Sequence, residues 1–131
     1  MKWSVFLMKS PILNKMNTVF VHVSDLHESV KWYSLLLNLR IREQDIYPPV
    51  YNIEIDGHTG LTLDAGPTGM QKKLNPNPHP IFNFHTDDID CAYDYLKELG
   101  YQIVSEIVRF DYFSFFHVED PDGNIIMICT G

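Results

Sequence analysis

Thr18-Val19-Phe20-Val21-His22-Val23-Ser24-Asp25-Leu26 and Ile81-Phe82-Asn83-Phe84-His85-Thr86-Asp87-Asp88-Ile89 spell one pattern twice. Each stretch opens with strict alternation of side chains, the period of a half-buried strand. In each, a histidine near the strand end stands three residues before an aspartate, and an aliphatic residue follows that aspartate. Ser24 or Asp25 can cap a helix, and Glu28 three residues after Asp25 completes a capping-box pattern. Thr86 to Asp88 can cap the helix of the second copy. Leu26, Val30, Tyr33 and Leu37 then recur at helical spacing, as do Ile89, Ala92, Tyr93, Leu96 and Leu99. Asn38 and Gly100, residues that tolerate the left-handed conformation, close the two helices.

Working outward, Thr18 to Ile41 reads strand, helix, strand, and Ile81 to Ile103 repeats that order. Further strands are expected at Leu39–Gln44, Val50–Ile55 and Leu61–Asp64, with Asp56-Gly57 turning the chain. In the second half they are expected at Gln102–Glu106, Tyr112–Val118 and Asn124–Cys129, with Asp120-Pro121-Asp122-Gly123 as the last hairpin turn. Leu61 to Gly66 is echoed by Ile126 to Gly131. Pro76, Pro78 and Pro80 at alternate positions make residues 74–80 a stiff linker that favours neither helix nor ladder. The expected fold is α+β, two tandem βαβββ modules. Residues 1–15 form an N-terminal extension, or codons upstream of a start at Met8 or Met16. The domain is 16–131, with module one at 16–73, the linker at 74–80 and module two at 81–131. Two related sheets facing each other can enclose one pocket at their pseudo-twofold axis.

Composition narrows the function. A chain of 131 residues is one domain with enough mass for a core. Its 17 acidic and 10 basic residues give −7, which argues against nucleic-acid binding; such a surface tolerates or attracts a cationic partner, or equally serves solubility alone. Two cysteines, Cys91 and Cys129, make neither a disulfide framework nor a zinc site, so reduced thiols in a cytoplasmic protein are expected. The apolar run in Met1–Met8 is too short for a signal peptide, and no stretch approaches the ~20 apolar residues of a membrane span.

The doubled βαβββ order, the Asp25-Leu26 helix start and the Asp120-Pro121-Asp122-Gly123-Asn124 turn together resemble the vicinal oxygen chelate superfamily. That group includes glyoxalase I, extradiol dioxygenases, fosfomycin-resistance transferases and bleomycin-resistance proteins. The likeness covers about residues 16–131 and implies an open eight-stranded barrel-like sheet around a central cavity. In its metal-binding members a His or Gln lies seven residues before the first helix-start aspartate, with a repeat equivalent in the second half. Glutamates lie on the last strand of each half. The matching positions here are Thr18, Ile81, Thr62 and Met127. Isoleucine and methionine offer no oxygen or nitrogen, and threonine hydroxyls are poor ligands without carboxylates beside them. The resemblance therefore implies a degenerate metal site and no cofactor, with a divalent metal as the lesser alternative.

Strand parity then assigns the cavity wall. It receives Thr18, Phe20 and His22 from the first strand, Ile81, Asn83 and His85 from the fifth, Thr62 and Asp64 from the fourth, and Met127 and Cys129 from the last. Asn52 and Glu54 join from the third. Among these, Phe20, His22, Glu54, Asp64, Asn83, His85, Met127 and Cys129 are the candidate ligand-binding residues. His22 and His85 are candidates for a polar clamp or general base, with Asp64 or Glu54 as orienting carboxylate. The competing reading makes both histidines part of a structural hydrogen-bond network. A displaced metal site on His22, His85 and Asp64 or Glu54 is the third use of the pair. Cys129 is more readily an inert thiol than a nucleophile. His27, His58, His79 and His117 read as surface or turn residues. Phe110, Tyr112, Phe113, Phe115 and Phe116, with Tyr47 and Tyr51, crowd the same region, where flat rings suit a planar or hydrophobic ligand.

Three functions remain open. The first is a metal-free binding protein for a small apolar or cationic molecule. The second is a lyase, dioxygenase or thiol transferase with a relocated ligand set. The third is a metal-free acid–base enzyme using His22 or His85. The resemblance also implies a homodimer.

Overall fold

The computed structural model describes residues 8–67 and 74–131. Strand β1 (Thr18–His22) leads into helix α1 (Leu26–Leu36), a single 3-10 turn (Glu43–Asp45), β2 (Val50–Ile53) and β3 (Gly60–Asp64). The second half runs β4 (Pro80–His85), α2 (Ile89–Glu98), β5 (Gln102–Ile103), β6 (Val108–Arg109), β7 (Ser114–Glu119) and β8 (Ile125–Cys129). The first sheet has the order β1-β3-β2, the second β4-β8-β7-β5 with β6 also on β7. β1 lies parallel to β3, and β4 parallel to β8. The two sheets do not close into a barrel. No described helix is long and apolar enough to cross a membrane.

Equivalent residues occupy equivalent places. His22 lies opposite Asp64 as His85 lies opposite Cys129, and Asn52 opposite Thr62 as His117 lies opposite Met127. The caps repeat too. Asp25 Oδ1 accepts the Glu28 N–H at 3.1 Å, and Asp88 Oδ1 accepts the Cys91 N–H at 3.0 Å. Each satisfies one of the free amides at a helix start. Asn38 ends α1 with φ 55°, and Gly100 follows α2 with φ 77°, as their sequence positions suggested.

One face of each sheet supplies the core. Val21, Val23, Leu61, Leu63 and Ile53 from the first pack with Val30 and Tyr33 of α1, and Phe116, Val118, Ile126 and Ile128 from the second with Leu96 of α2. All are buried. Alternate residues of the same strands point the other way.

The strand expectations need correction in four places. Leu39–Gln44 is not a strand. Leu39 and Ile41 are half-buried against the core, but the Arg42 Nε–Asp45 Oδ2 contact at 3.2 Å and the Asp45 N–H to Arg42 carbonyl bond at 2.9 Å draw the chain into a turn. Local side-chain bonding has displaced a ladder. The strand expected at Gln102–Glu106 stops after Ile103, because Ser105 Oγ takes the His117 N–H at 2.8 Å where a backbone carbonyl would continue the pairing, and pairing to β7 resumes only at β6, beyond the expected range. β2 ends at Ile53 rather than Ile55. The linker is shorter than drawn: Pro80 opens β4, opposite Ile125. The eight strands thus divide three and five, not four and four. Residues 1–7 of the extension and 68–73 at the end of module one lie outside the described residues.

The modules are fastened at two seams. At one, the Asp120–Asn124 turn reaches across to module one. Ser24 N–H donates to Asp122 at 3.0 Å, Asn124 Nδ2 donates to the His22 carbonyl at 3.3 Å, and the buried Tyr33 hydroxyl donates to Asp120 Oδ2 at 2.7 Å. Asp120 Oδ1 also accepts the amides of Asp122 and Asn124, which shapes the turn. Burial, then the Asp120 charge, drives the Tyr33 hydroxyl pKa far upward, so it stays a donor at any working pH. At the other seam the Trp32 and Tyr101 rings stack at 4.6 Å, while Tyr95 and Tyr101 hydroxyls donate to the Leu35 and Trp32 carbonyls of α1.

Candidate functional site

The face opposite the helices carries several of the residues that parity places at a cavity, and it is open, whereas His85 borders a cleft between the helices and Asn52 and Glu54 one beside Ser34 of α1. Phe20 is 57 % exposed and Ile81 37 %. His22, Asn52, Glu54, Asn83 and His85 are also exposed, and Thr18, Asp64, Met127 and Cys129 half-buried. No single cavity among the described residues gathers them. Phe20, His22 and Ile81 share a trough of about 430 Å³ with residues 74–77 and Asn124. Asn83 lines a separate cleft with Val19 and Thr59, and His85 a third between the two helices. The structure therefore does not bring His22 and His85 into one pocket.

On the first sheet, the positions matching the family's metal ligands bond to each other. Thr18 Oγ1 lies 2.9 Å from Thr62 Oγ1, and Thr62 donates to Asn52 Oδ1 at 2.7 Å. Thr62 is 6 % exposed, so its hydroxyl is spent on protein partners. On the second sheet the matching residues are Ile81 and Met127, which have no hard donor. Neither set suits a divalent ion. Among the described residues no group of three or more His, Cys, Asp or Glu is placed to hold a metal. That includes the relocated set of His22, His85 and Asp64 or Glu54.

The candidate histidines differ in setting. His22 sits beside Asp64 across the β1–β3 ladder, and Asp64 Oδ1 takes the Gly66 N–H at 2.8 Å. His85 Nε2 lies 2.7 Å from Asp87 Oδ1, a contact exposed to solvent. Cys129, opposite His85, has a thiol pKa raised by burial, which disfavours the thiolate. Cys91 lies near His85, but its Sγ–H donates to Asp88 at 3.2 Å, and that carboxylate raises its pKa as well. Neither thiol is primed as a nucleophile.

One residue on this face escaped the sequence reading. His117, taken as a surface histidine, stands on β7 between Phe115 and Glu119, facing the same side as Met127. Its Nε2 is sealed from solvent with no hydrogen-bond partner among the described residues, and burial lowers its pKa. The signal was available: His117 is the counterpart of Asn52, a residue already assigned to the wall. Beside it runs a ladder of rings. Phe115 lies 5.4 Å from His117, Phe113 lies 5.9 Å from Phe115, and Phe110 lies 5.2 Å from Phe113.

A parallel-plus-antiparallel strand set repeated about a pseudo-twofold, with the face opposite the helices left open, defines a paired-module α+β protein of the vicinal oxygen chelate type. The sequence model of the Glyoxalase/Bleomycin resistance protein/Dioxygenase superfamily matches residues 15–128, and the chain belongs to that family. No functionally curated protein matches it. Among solved structures it is similar to a glyoxalase/dioxygenase from Nostoc punctiforme, at 20% identity and TM-score 0.70 over 94% of this chain and 95% of that one. It is similar to a glyoxalase/bleomycin resistance protein/dioxygenase from Alicyclobacillus acidocaldarius, at 18% identity and TM-score 0.62 over 94% of each chain. It is also similar to the oxidase ChaP-H2, at 18% identity and TM-score 0.65 over 92% of this chain and 95% of that one. At such identities the likeness establishes the fold, which this family uses for several chemistries.

Proposed function

We propose that this protein is a metal-independent binder of a small organic molecule, apolar or cationic, held on the open face of its paired sheets. The observation that carries this reading is the Thr18–Thr62–Asn52 chain of hydrogen bonds, with Ile81 and Met127 at the mirror positions. A face kept as a seat for an ion would hold carboxylates or imidazoles there. What remains is an apolar floor with a few polar groups, the usual make-up of a small-molecule site. Phe20 and His22 on the trough supply one of each. A homodimer is part of the proposal, because a single copy leaves that face uncovered.

Elemental analysis of the purified, dialysed protein tests the reading first. It should show no stoichiometric divalent metal, and a tightly held equivalent would overturn it. A thermal-shift panel of small apolar and cationic molecules follows, run on the wild type and His22→Ala. A ligand at about 100 times its Kd stabilises the fold by about 2.7 kcal/mol. That stabilisation should shrink in the variant, and equal shifts in both proteins would remove His22 from the site.

A further inference from the structure

The chain leaves its two helices at equivalent points and then takes different routes. Leu39 N–H bonds the Ser34 carbonyl at 2.7 Å, as Tyr101 N–H bonds the Leu96 carbonyl at 3.0 Å. In module two the chain next runs along the outer edge of β7. There Val104 N–H donates to the His117 carbonyl at 2.9 Å, and Ser105 Oγ accepts the His117 N–H at 2.8 Å. In module one the Arg42–Asp45 turn carries the chain away, and β2 remains the edge of its sheet.

The residue at the matching place on that edge is Asn52, the counterpart of His117. The Ala65 N–H to Pro49 carbonyl bond at 2.8 Å sets the phase of the β2–β3 ladder. Pairs alternate along an antiparallel ladder, so Tyr51 and Ile53 turn their backbone groups to β3 and Asn52 turns its own outward. The Asn52 N–H and C=O meet no partner among the described residues. A cleft of about 260 Å³ runs along this edge, with Leu39 and Arg40 on one side and residues 51–54 on the other. Arg40 and Glu54 both line it, and neither forms an ion pair or hydrogen bond with a described residue. Ser34 of α1 lines it too, and its buried hydroxyl has no hydrogen-bond partner among the described residues.

Module two shows what such an edge accepts: an N–H for the carbonyl and an oxygen for the N–H. The two unpaired charges of opposite sign add a demand for one anionic and one cationic group. We infer that the β2 cleft is a second binding site, apart from the open face, for a dipeptide with both ends free. The C-terminal residue of the dipeptide pairs with Asn52, its amide N–H donating to the Asn52 carbonyl and its carboxylate accepting the Asn52 N–H. That carboxylate also meets Arg40. Antiparallel pairing sets the preceding residue opposite Ile53, with its ammonium beside Glu54. Main-chain bonds to a sheet edge give affinity without dependence on side chains, and the charge-assisted bonds at each end select a short peptide over a longer strand. The cleft is small beside pockets for drug-sized ligands, which run from about 300 Å³ upward.

Calorimetric titration of the full chain with alanylalanine tests the assignment. Acetyl-alanylalanine lacks the ammonium, alanylalanine amide lacks the carboxylate, and alanyl-N-methylalanine lacks the amide N–H. Each should bind at least about tenfold more weakly than alanylalanine. Arg40→Gln should weaken alanylalanine about tenfold and leave binding of the amide form unchanged, and Glu54→Gln should do the same with the acetylated form. Both side chains are exposed, and a thermal melt checks that each variant folds as the wild type does. Hydrogen exchange at the Asn52 amide should slow when alanylalanine binds. If alanylalanine gives no heat at millimolar concentration, or binds both variants as well as the wild type, the assignment fails. If His22→Ala abolishes its binding while the two edge variants do not, the dipeptide sits on the open face; the edge site is then wrong and the small-molecule reading of that face stands. An Asn52 amide already protected before ligand is added would show the edge covered by residues 39–44 or by a second copy, and would overturn the assignment as well.

Discussion

The two sheets share a backbone plan and have parted company in their free faces. At three counterpart positions the first sheet holds Thr18, Asn52 and Thr62, joined by hydrogen bonds, while the second holds Ile81, His117 and Met127 beside stacked phenylalanines. On the helix side the counterparts stay alike: Ile53 and Val118, Leu63 and Ile128, Val21 and Phe84 all contribute to the core. Burial constrains that side to apolar residues of fitting volume, whatever the function. The free side has no such constraint, so one half joins its polar groups to each other while the other presents Ile81 and Met127 at the matching places.

The sharpest way to break the comparison is at the seam, where the halves are least alike. Tyr33 of α1 donates to Asp120 of the β7–β8 turn, and both are buried. Their counterparts, Leu96 and Ile55, are apolar members of the core. Asp120 additionally accepts two backbone amides and Asn124 Nδ2, so Asp120→Ala strips several donors of their partner at once. A loss of about 3 kcal/mol or more is expected in urea unfolding. Tyr33→Phe removes one bond and should cost about 1 to 2 kcal/mol. The double variant should cost less than the sum, since each change already forfeits the same contact. Additive losses would show that the Tyr33–Asp120 bond contributes nothing of its own.

Much of this plan was legible in the sequence, and the parts that were not fail for local reasons. Alternation in Thr18–His22 and from Ile81 to His85, the aspartate caps and the Asp120-Pro121-Asp122-Gly123 turn each carry their own short-range chemistry, so they could be read directly. Leu39–Gln44 alternates just as well, but whether it pairs depends on a competition between a β2 edge and the Arg42–Asp45 turn. Periodicity does not decide such a contest. The site was legible as a face and not as a pocket. Parity concerns each strand by itself, while the separation of His22 and His85 depends on how the modules sit together, to which the Tyr33, Tyr95 and Tyr101 hydroxyls, the Trp32–Tyr101 stack and the Asp120–Asn124 turn all contribute. The role of His117 was hidden because its identity differs from Asn52 although its place does not.

A milder test sharpens the contrast on the free face itself. Thr62→Val keeps the shape and removes the hydroxyl that links Thr18 to Asn52, leaving Asn52 Oδ1 without its donor. A loss of about 1 kcal/mol is expected. The mirror substitution Met127→Leu exchanges one apolar side chain for another of similar volume and should change stability by less than about 1.5 kcal/mol, without disturbing any hydrogen bond. If Thr62→Val proves neutral, the threonine pair is not a stabilising network and the first sheet is no better tied than the second.

The smallest effect lies at the third counterpart pair, Asn52 and His117. Burial holds the folded pKa of His117 below its ordinary value of 6.5. Well above pH 6.5 the ring is neutral in folded and unfolded chains alike, and the fold loses nothing. As pH falls from 6.5 toward the lowered folded value, the unfolded chain takes up the proton first, so stability declines through that window. Glu119, two residues along the same strand, turns its carboxylate toward Gly123, and Cys129 across the sheet stays uncharged there. His117→Asn transplants the module-one residue and removes the titration. Urea midpoints at pH 7.5 and 5.5 should therefore differ less in the variant than in the wild type. An unchanged difference would mean that the sealed Nε2 finds a proton-accepting partner when the ring charges, and the second sheet would then be the more polar of the two.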